Sequence, residues 1–167
     1  RLYIVRDLFL FSCYTGISYG DMCLLTKEDL VTDENGTLWI RTSRKKTKVE
    51  YEVPLLEVPL HILNKYRDVE PNGKLLPMYC NSDVNEYLKT IAAKCGINRR
   101  IVFHSARHTY ATEITLSHGV PLETVSKMLG HTRVDTTQIY AKVTDDKINA
   151  DTKRLDYKIS ERFTIAI

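Results

Sequence analysis

Apolar residues recur at helical spacing along most of this chain, and the first such segment covers residues 1–14. Gly16 follows this segment and is a natural helix stop, because glycine readily adopts the left-handed conformation that ends many helices. Ser18 is then placed to cap a second helix, which would include Met22 and Leu25. The chain is therefore predicted to begin with two helices separated at Gly16.

Between residues 29 and 54 the pattern is typical of strands. Asn35-Gly36 is a strong tight-turn dipeptide and separates the segments Asp29–Asp33 and Thr37–Thr42. A further strand is predicted at Tyr51–Pro54. We therefore expect a small three-stranded antiparallel sheet with a basic turn between its last two strands.

After Pro54 the pattern is helical almost to the end of the chain, and glycine and proline residues divide it. Ser82 is predicted to cap a helix that Gly96 closes, and Pro121 is predicted to take the first position of a helix that stops at Gly130. The predicted helices are Val58–Tyr66, Ser82–Cys95, Ser105–His118, Pro121–Leu129, Asp135–Val143 and Thr144–Leu155, and Lys158–Ile167 has no clear periodicity. The fold class is therefore α+β, mainly helical with one small sheet.

The length of 167 residues suits one domain, 1–167, in which 144–167 form a C-terminal helix and tail. The chain opens on Arg1 inside an apolar-periodic segment, so we expect a piece of a longer protein that lacks its N-terminal part. Lys+Arg number 24 and Asp+Glu number 21, and the resulting charge of +3 is too small to indicate a nucleic-acid partner by itself.

The four cysteines are scattered and lack the close spacing of a zinc site. No apolar run approaches ~18 residues, the length of a membrane span, and no signal peptide precedes the first helix. We therefore expect reduced thiols in a cytoplasmic protein, with no metal site and no membrane segment.

Two polar motifs lie in the C-terminal half. His104-Ser105-Ala106-Arg107-His108 opens a predicted helix, so His104 and Arg107 lie on nearly one face, near backbone N–H groups that attract anions. Leu129-Gly130-His131 places another histidine just past a helix stop, and Tyr140 follows 9 residues later. Each residue alone has an ordinary interpretation as well, because a tyrosine late in a helix usually packs and a histidine after a glycine can cap a helix.

A basic cluster occupies the predicted turn between the last two strands. Its members are Arg41, Arg44, Lys45, Lys46 and Lys48. Such a run is usually a solvated loop, but a rigid β-turn is also an effective way to present cations to a phosphate backbone. The residue types alone leave both interpretations open.

Taken together, these residues resemble the catalytic domain of the tyrosine recombinase, or phage-type integrase, family. The matching motifs are His-x-x-Arg-His, Leu-Gly-His, the step of 9 residues to Tyr140 and the segment Thr-Thr-Gln-Ile-Tyr-Ala-Lys-Val around it. A basic hairpin ending in Val53-Pro54-Leu55 is a further family feature, and its catalytic lysine corresponds to Lys46. The resemblance covers residues 2–143 and implies the tyrosine recombinase catalytic fold.

The resemblance implies an enzyme that breaks and rejoins DNA through a covalent 3′-phosphotyrosine at Tyr140. A tyrosine hydroxyl has a pKa near 10, so only about one in a thousand is ionised at neutral pH and the site must stabilise the transition state. Arg107 would hold two non-bridging phosphate oxygens, and His131 would donate to the phosphate. His104 would serve as a general acid–base or orienting group, and Lys46 would protonate the leaving 5′-oxygen. The bond energy stays in the covalent link, so no cofactor is expected.

The same resemblance implies double-stranded DNA as the substrate, contacted by Arg41, Lys45 and Lys48. It also implies a homotetramer on DNA, with residues 144–167 packed against a neighbouring protomer, and DNA-bending accessory proteins as further partners. The separate N-terminal DNA-binding domain of the family is absent from this chain, so we expect the chain alone to bind DNA weakly.

One position departs from the family, in which an arginine follows Thr-Gly-Leu. Here Thr15-Gly16-Ile17 is followed by Ser18, and losing one preorganised transition-state donor costs about 100- to 1000-fold in rate. Arg44 is the preferred substitute, because on a strand it faces the same side as Lys46, and Arg6 on the first helix is the second candidate. A branch of integrases associated with conjugative mobile elements is similar in lacking this arginine, so we expect an active enzyme.

Three other functions stay open at this point. A type IB topoisomerase uses a similar set of residues, although Leu-Gly-His followed by Thr-Thr-Gln-Ile-Tyr favours the recombinase. A DNA-binding module without catalysis is suggested by Ser18. A metal-dependent hydrolase would be built on His104, His108 and His131, but no acidic residue is spaced to complete such a site.

Overall fold

This chain folds into α-helices and one small sheet, and the computed structural model describes residues 1–69, 73–141 and 145–161. The α-helices are α1 (Leu2–Thr15), α2 (Tyr19–Met22), α3 (Glu57–Tyr66), α4 (Asn81–Lys94), α5 (His104–Thr109), α6 (Leu122–Met128), α7 (Asp135–Gln138) and α8 (Asp145–Ser160). The strands β1 (Leu30–Thr32), β2 (Leu38–Ser43) and β3 (Glu50–Pro54) form an antiparallel sheet in the order β1-β2-β3. The predicted α+β class and the three-stranded sheet are confirmed.

Helix α1 is the centre of the core. Val5, Leu8 and Phe11 are fully buried on it, and the helix packs against α3, α4 and α5. It ends at Gly16, whose φ of 69° lies in the left-handed region. A Cβ at Gly16 would stand 2.4 Å from the ring of Tyr110, so a glycine is needed both for the turn and for the close packing. The predicted helix stop at Gly16 is confirmed.

The two hairpins of the sheet differ in their turns. The first is tight, as Asn35-Gly36 predicts: Asp33 N–H donates to the Thr37 carbonyl over 2.9 Å, and Gly36 has a φ of 82°. In the second, β2 and β3 pair in a register that sets the buried Ile40 opposite the buried Val53. The turn between these two strands, residues 44–49, carries most of the basic cluster into solvent.

Two predictions of helix starts need correction. Helix α4 begins at Asn81 with Cys80 at its N-cap, so Ser82 lies in the first turn, where its hydroxyl is 2.9 Å from Cys80 Sγ. The sequence places three good capping residues in a row here, and the pattern does not separate them. Pro121 is the N-cap of α6 and not its first helical residue. Ser18 is confirmed as the N-cap of α2, which is too short to include Leu25.

The helix predicted at Ser105–His118 is continuous but not uniform. It begins one residue earlier, at His104, and α5 passes into a π-helical turn at Tyr110–Thr115 and a 3₁₀ turn at Leu116–His118. The Thr115 hydroxyl donates to the carbonyls of Tyr110 and Ala111 at 3.0 and 2.8 Å, which satisfies the acceptors that the wider turn exposes. Gly119 then ends the segment in the left-handed conformation, as predicted.

The C-terminal helices have different bounds from those predicted. Helix α7 ends at Gln138, so Tyr140 lies in a turn just after a short helix and not late in a long one; residues 142–144 lie outside the described residues. Helix α8 runs to Ser160, five residues past the predicted end at Leu155 and into the segment that shows no periodicity. Within the described ranges, no helix combines the length and apolar character needed to cross a membrane.

Candidate active site

Arg107 is the most deeply buried cation of the site. It lies on α5 with 2% of its surface exposed, and its Nη1 and Nη2 groups donate to the carbonyls of Gly16 and Leu129 at 2.7 and 2.6 Å. Burial and the nearby Arg44 guanidinium lower the pKa of Arg107 to about 10, which still leaves it a cation at neutral pH. The two glycine-containing motifs thus hold the arginine through backbone carbonyls.

His131 lies directly against this arginine. It follows Gly130, whose φ of 63° ends α6, and its Nε2 is 3.0 Å from Nη2 of Arg107. On the other side of the ring, Nδ1 is 2.8 Å from the hydroxyl of Thr137. Burial, followed by the charges of Arg107 and Arg44, lowers the pKa of His131 to about 4, so the ring is neutral at pH 7.

Three rings connect the start of α5 to the predicted nucleophile. His104 packs edge-to-face against His108 with ring centroids 5.8 Å apart, and His108 packs edge-to-face against Tyr140 at 4.7 Å. Partial burial, then His108 and Arg107, lower the pKa of His104, so this ring is also neutral at pH 7. His108 therefore packs against the tyrosine.

Tyr140 is 7% exposed and sits where the turn after α7 returns to the core. Its N–H donates to the carbonyl of Thr137 over 3.0 Å. The contacts through His108 and Thr137 therefore join Tyr140, Arg107, His131 and His104 in one cluster, built by α5 and by the turns that follow α6 and α7.

Asp21 is a buried carboxylate that the sequence did not predict as part of the site. It binds Ser18, the residue at the position where the family has an arginine. Asp21 is 3% exposed, and its Oδ2 accepts a 2.7 Å hydrogen bond from Ser18 Oγ. Its Oδ1 accepts a 2.8 Å bond from the N–H of Lys45, and Nη1 of Arg44 lies 3.1 Å from Oδ2. A serine followed three residues later by an aspartate is a known signal of a helix start, but nothing in that signal indicates a contact with the hairpin.

Arg44 extends from the hairpin toward the same cluster. Its side chain is 17% exposed, and a Cβ placed on Gly130 would stand 2.9 Å from its Cγ. Arg44 and His131 line one small cavity of about 180 Å³. Its Nη1 is buried and forms no hydrogen bond with any described residue, because its approach to Asp21 has ion-pair distance without hydrogen-bond alignment.

The remaining predicted residues lie outside this cluster. Lys46 is exposed in the β2–β3 turn, as are Lys45 and Lys48, and Arg41 forms an exposed ion pair with Glu52 at 3.0 Å. The structure therefore does not bring Lys46 into contact with Arg107 or Tyr140. Arg6, the second candidate to replace the expected arginine, is bound to Asp7 at 2.7 Å, and no contact joins it to the cluster in the described residues.

A cavity of about 330 Å³ opens beside Ser18. It is lined by Ser18, His104, Arg107 and residues near the start of α4, including Asn81 and Asn85. Arg107 contributes a positive charge to this cavity, and no carboxylate is among its described lining residues, so the space is suited to a small anion. Within the described part of the chain, no three His, Cys, Asp or Glu side chains are grouped to hold a metal ion.

Comparison with known proteins gives a consistent set of matches. The model of the phage integrase family matches residues 3–147. A tyrosine recombinase of Thermosipho africanus is 30% identical over 141 residues, and the tyrosine recombinase XerD of Listeria monocytogenes is 34% identical over 145 residues. These alignments cover 80% and 78% of this chain but 48% and 47% of the relatives, so the chain spans about half their length.

The fold is also similar to that of solved recombinases. The XerH site-specific recombinase bound to its palindromic difH substrate has a TM-score of 0.71 and 21% identity, covering 91% of this chain and 45% of that chain. The Tn1549 transposon integrase in complex with a circular intermediate DNA has a TM-score of 0.65 and 18% identity, covering 89% and 57%. At these identities the likeness concerns the fold.

Proposed function

Because the chain belongs to the phage integrase family of tyrosine recombinases, we propose that it is the catalytic domain of a site-specific DNA recombinase that forms a 3′-phosphotyrosine at Tyr140. The observation that carries this proposal is that Tyr140 packs on His108 of α5, the helix that also carries Arg107, a buried arginine with no carboxylate within ion-pair distance among the described residues. A buried cation satisfied by neutral acceptors attracts an anion, and a phosphodiester is the anion that a phenolate can attack.

Arg107 is suited to the transition state because its orientation is already fixed. A guanidinium has five N–H donors, and the contacts to Gly16, Leu129 and His131 occupy three of them. The others are free to bind non-bridging oxygens of the phosphate. Since the carbonyls hold the group in place, the site does not have to reorganise as negative charge develops on those oxygens.

Arg44 is the residue that we propose in place of the arginine expected at Ser18. Asp21 anchors it, and Ser18 in turn anchors Asp21, so the serine takes part in positioning the substitute. Nη1 of Arg44 forms no hydrogen bond in the described chain although it lies 3.1 Å from Asp21, so a phosphate oxygen that binds it would compete with this poorly aligned ion pair. Arg6 is the second candidate for this role, and we favour it less because its guanidinium pairs with Asp7 at 2.7 Å.

Lys46 remains our proposal for the general acid that protonates the leaving 5′-oxygen. Its place in an exposed turn means that the DNA must bring it to the scissile phosphate. The N–H of the preceding Lys45 is bound to Asp21, so the start of the turn is tied to the active site while its tip is free. Arg41, Lys45 and Lys48 are proposed to contact phosphates of double-stranded DNA along the same hairpin.

The chemistry is tested by trapping the covalent intermediate. We would incubate the protein with duplexes of randomised sequence, each carrying a nick that lets the short cleaved fragment diffuse away, and recover adducts that resist detergent. The wild type is expected to form an adduct, and Tyr140→Phe is expected to form none. Tyr157→Phe is the matched control, because Tyr157 is 67% exposed on α8. No adduct from the wild type, or an adduct with Tyr140→Phe, would contradict the proposal.

The DNA recovered in these adducts also distinguishes the class of enzyme. A recombinase is expected to select one sequence from the random pool, whereas a type IB topoisomerase would leave adducts on many unrelated sequences. A module that binds DNA without catalysis would leave none.

The role of Arg44 is tested in the same assay. Arg44→Ala is expected to lower the rate of adduct formation about 100- to 1000-fold, the usual effect of removing one preorganised donor. Arg67→Ala is the control, because Arg67 is exposed at the end of α3 and has no place in the cluster or the hairpin. Adduct formation by Arg44→Ala at the wild-type rate would refute the substitution of Arg44 for the missing arginine.

The C-terminal helix supports a proposal about assembly. All side chains described on α8, from residue 148 onward, are exposed, and Ile148, Leu155 and Ile159 repeat along it at helical spacing. An isolated helix of this length is marginal in water, so this apolar stripe needs a partner surface. We propose that it packs against a neighbouring protomer in a homotetramer on DNA, with DNA-bending proteins as further partners.

The biological setting is proposed from the neighbours in the fold. XerH is described with its difH substrate, and the Tn1549 protein is a transposon integrase described with a circular intermediate DNA. We propose that this chain acts in DNA integration or recombination of a mobile element, consistent with the serine at position 18.

A further inference from the structure

We propose that Thr137 is a positioning residue, whose buried hydroxyl accepts the Nδ1–H of His131, holds that ring against Arg107 and couples it to the segment carrying Tyr140. The catalytic consequence rests on the proposed function, whereas the hydrogen-bond arrangement itself does not. Thr137 is fully buried, and its Oγ1 lies 2.8 Å from Nδ1 of His131. Nothing in the sequence motif distinguishes this threonine from the exposed Thr136 beside it.

The tautomer follows from the donors and acceptors around the ring. Arg107 can only donate, and its Nη2 is 3.0 Å from Nε2 of His131, so Nε2 must be the bare nitrogen that accepts. In a neutral imidazole the proton is then on Nδ1, which faces the Thr137 hydroxyl. The threonine oxygen therefore accepts from Nδ1–H and holds the ring in the orientation that meets Arg107.

The same threonine reaches the nucleophile through its backbone. The Thr137 carbonyl accepts the N–H of Tyr140 over 3.0 Å, so one residue contacts both His131 and Tyr140. Thr137 lies on the short helix α7, so the contact of its side chain with His131 and the contact of its carbonyl with Tyr140 come from the same residue. A displacement of the tyrosine segment is thereby transmitted to the histidine.

The tautomer of His131 determines when this ring can donate to a phosphate. While Nδ1–H is bound to Thr137, Nε2 of His131 carries no proton and cannot donate to a phosphate. The ring becomes a donor at Nε2 only when it gains a second proton from solvent and gives up the hydrogen bond that Nε2 accepts from Arg107, and an entering phosphate favours both changes by placing negative charge beside the two residues. We therefore expect His131 to be a neutral acceptor in the free protein and a donor after proton uptake with DNA bound.

The tautomer is measured directly by ¹⁵N NMR of the imidazole nitrogens in the free protein at neutral pH. We expect the wild type to show the Nδ1–H form of His131. Thr137→Val keeps the shape of the side chain but leaves Nδ1–H without an acceptor, so it is expected to lower the population of the Nδ1–H form, although Arg107 still opposes a proton on Nε2. Thr137→Ser is expected to restore the wild-type signal. Thr136→Val is the control and should leave the signal unchanged.

The second readout is the rate of adduct formation on DNA. Thr137→Val is expected to lower it about 10- to 100-fold, as loss of an orienting partner commonly does, and Thr137→Ser should lie within a few-fold of the wild type. An Nε2–H tautomer in the wild type would overturn the proposal even if the valine variant failed to fold. Wild-type cleavage by a folded Thr137→Val would overturn the positioning role. Absence of any adduct from the wild type would count against the proposed function and leave the tautomer measurement intact.

Discussion

Asp7 on α1 and Arg107 on α5 are both buried charges, with 3% and 2% of their surfaces exposed, but their partners differ in kind. Asp7 accepts hydrogen bonds from Lys65 at 2.6 Å, from Tyr66 at 2.7 Å and from Arg6 at 2.7 Å. Two of these donors are cations, so the carboxylate is neutralised where it stands. Arg107 is bound by two carbonyls and a neutral imidazole, and its charge is not neutralised.

The difference separates a structural charge from a functional one. The cluster at Asp7 joins α1 to α3, and its charge is compensated without a ligand. The contacts of Arg107 fix its orientation but leave its charge uncompensated, which is the arrangement expected of a group that waits for an anionic substrate. Removing Arg107 should therefore mainly damage activity, and removing Asp7 should mainly damage stability.

Of these two buried charges, the larger effect on activity is expected at Arg107, in the variant Arg107→Lys. A lysine keeps the positive charge but has a single nitrogen, which cannot reach the carbonyls of Gly16 and Leu129 and also hold two phosphate oxygens. We expect the rate of adduct formation to fall about 100- to 1000-fold, measured under single-turnover conditions. Arg133→Lys is the control, since Arg133 pairs with the exposed Asp135. An Arg107→Lys variant that cleaves at the wild-type rate would show that the buried charge is structural after all.

Much of the fold was predictable because local rules and packing agree in it. Helix α1 has a continuous apolar face and a glycine at its end, and Asn35-Gly36 allows a tight turn that sets the register of β1 and β2. The bounds of the C-terminal helices α7 and α8 were not predictable from the periodicity of apolar residues. Residues around Ile139 continue a helical pattern, but α7 ends at Gln138 and the chain turns so that Tyr140 is buried while Ile139 is 64% exposed.

In the candidate site, the sequence identified the motif residues but not the groups that hold them in place. Arg107 and His131 belong to recognisable spacings, whereas the carbonyl of Gly16 that holds Arg107 carries no side-chain signal. Asp21 was missed because its contacts with the hairpin are long-range and its type is common at helix starts. Lys46 was found by its spacing, but its contact with substrate depends on a DNA partner that spacing does not describe.

The smaller effect is expected at Asp7, the other buried charge, and it is an effect on stability. Asp7→Asn removes a charged acceptor from the buried hydroxyl of Tyr66, while Arg6 and Lys65 lose a partner with side chains that are already 47% and 45% exposed. Because solvent screens those two pairs, we expect a loss of about 1–3 kcal/mol in the free energy of unfolding at pH 7, measured by urea denaturation. Adduct formation by the folded variant should stay close to the wild-type rate.

The pH dependence of the stability lost in Asp7→Asn tests whether that loss is electrostatic. Burial would raise the pKa of Asp7, but the hydrogen bonds from Lys65, Tyr66 and Arg6 outweigh it, so the pKa in the folded protein is lowered. A carboxylate of this kind stabilises the fold fully above its unfolded pKa of about 3.9, and the contribution disappears as the pH falls through the lower folded value. Asparagine does not titrate, so the difference in stability between wild type and Asp7→Asn should be constant from about pH 5 to 7 and shrink below about pH 4. Asp33→Asn, at an exposed turn, supplies the comparison for a carboxylate outside the core. A difference that grew as the pH fell would mean that Asp7 is held protonated, and the contrast with Arg107 would then fail.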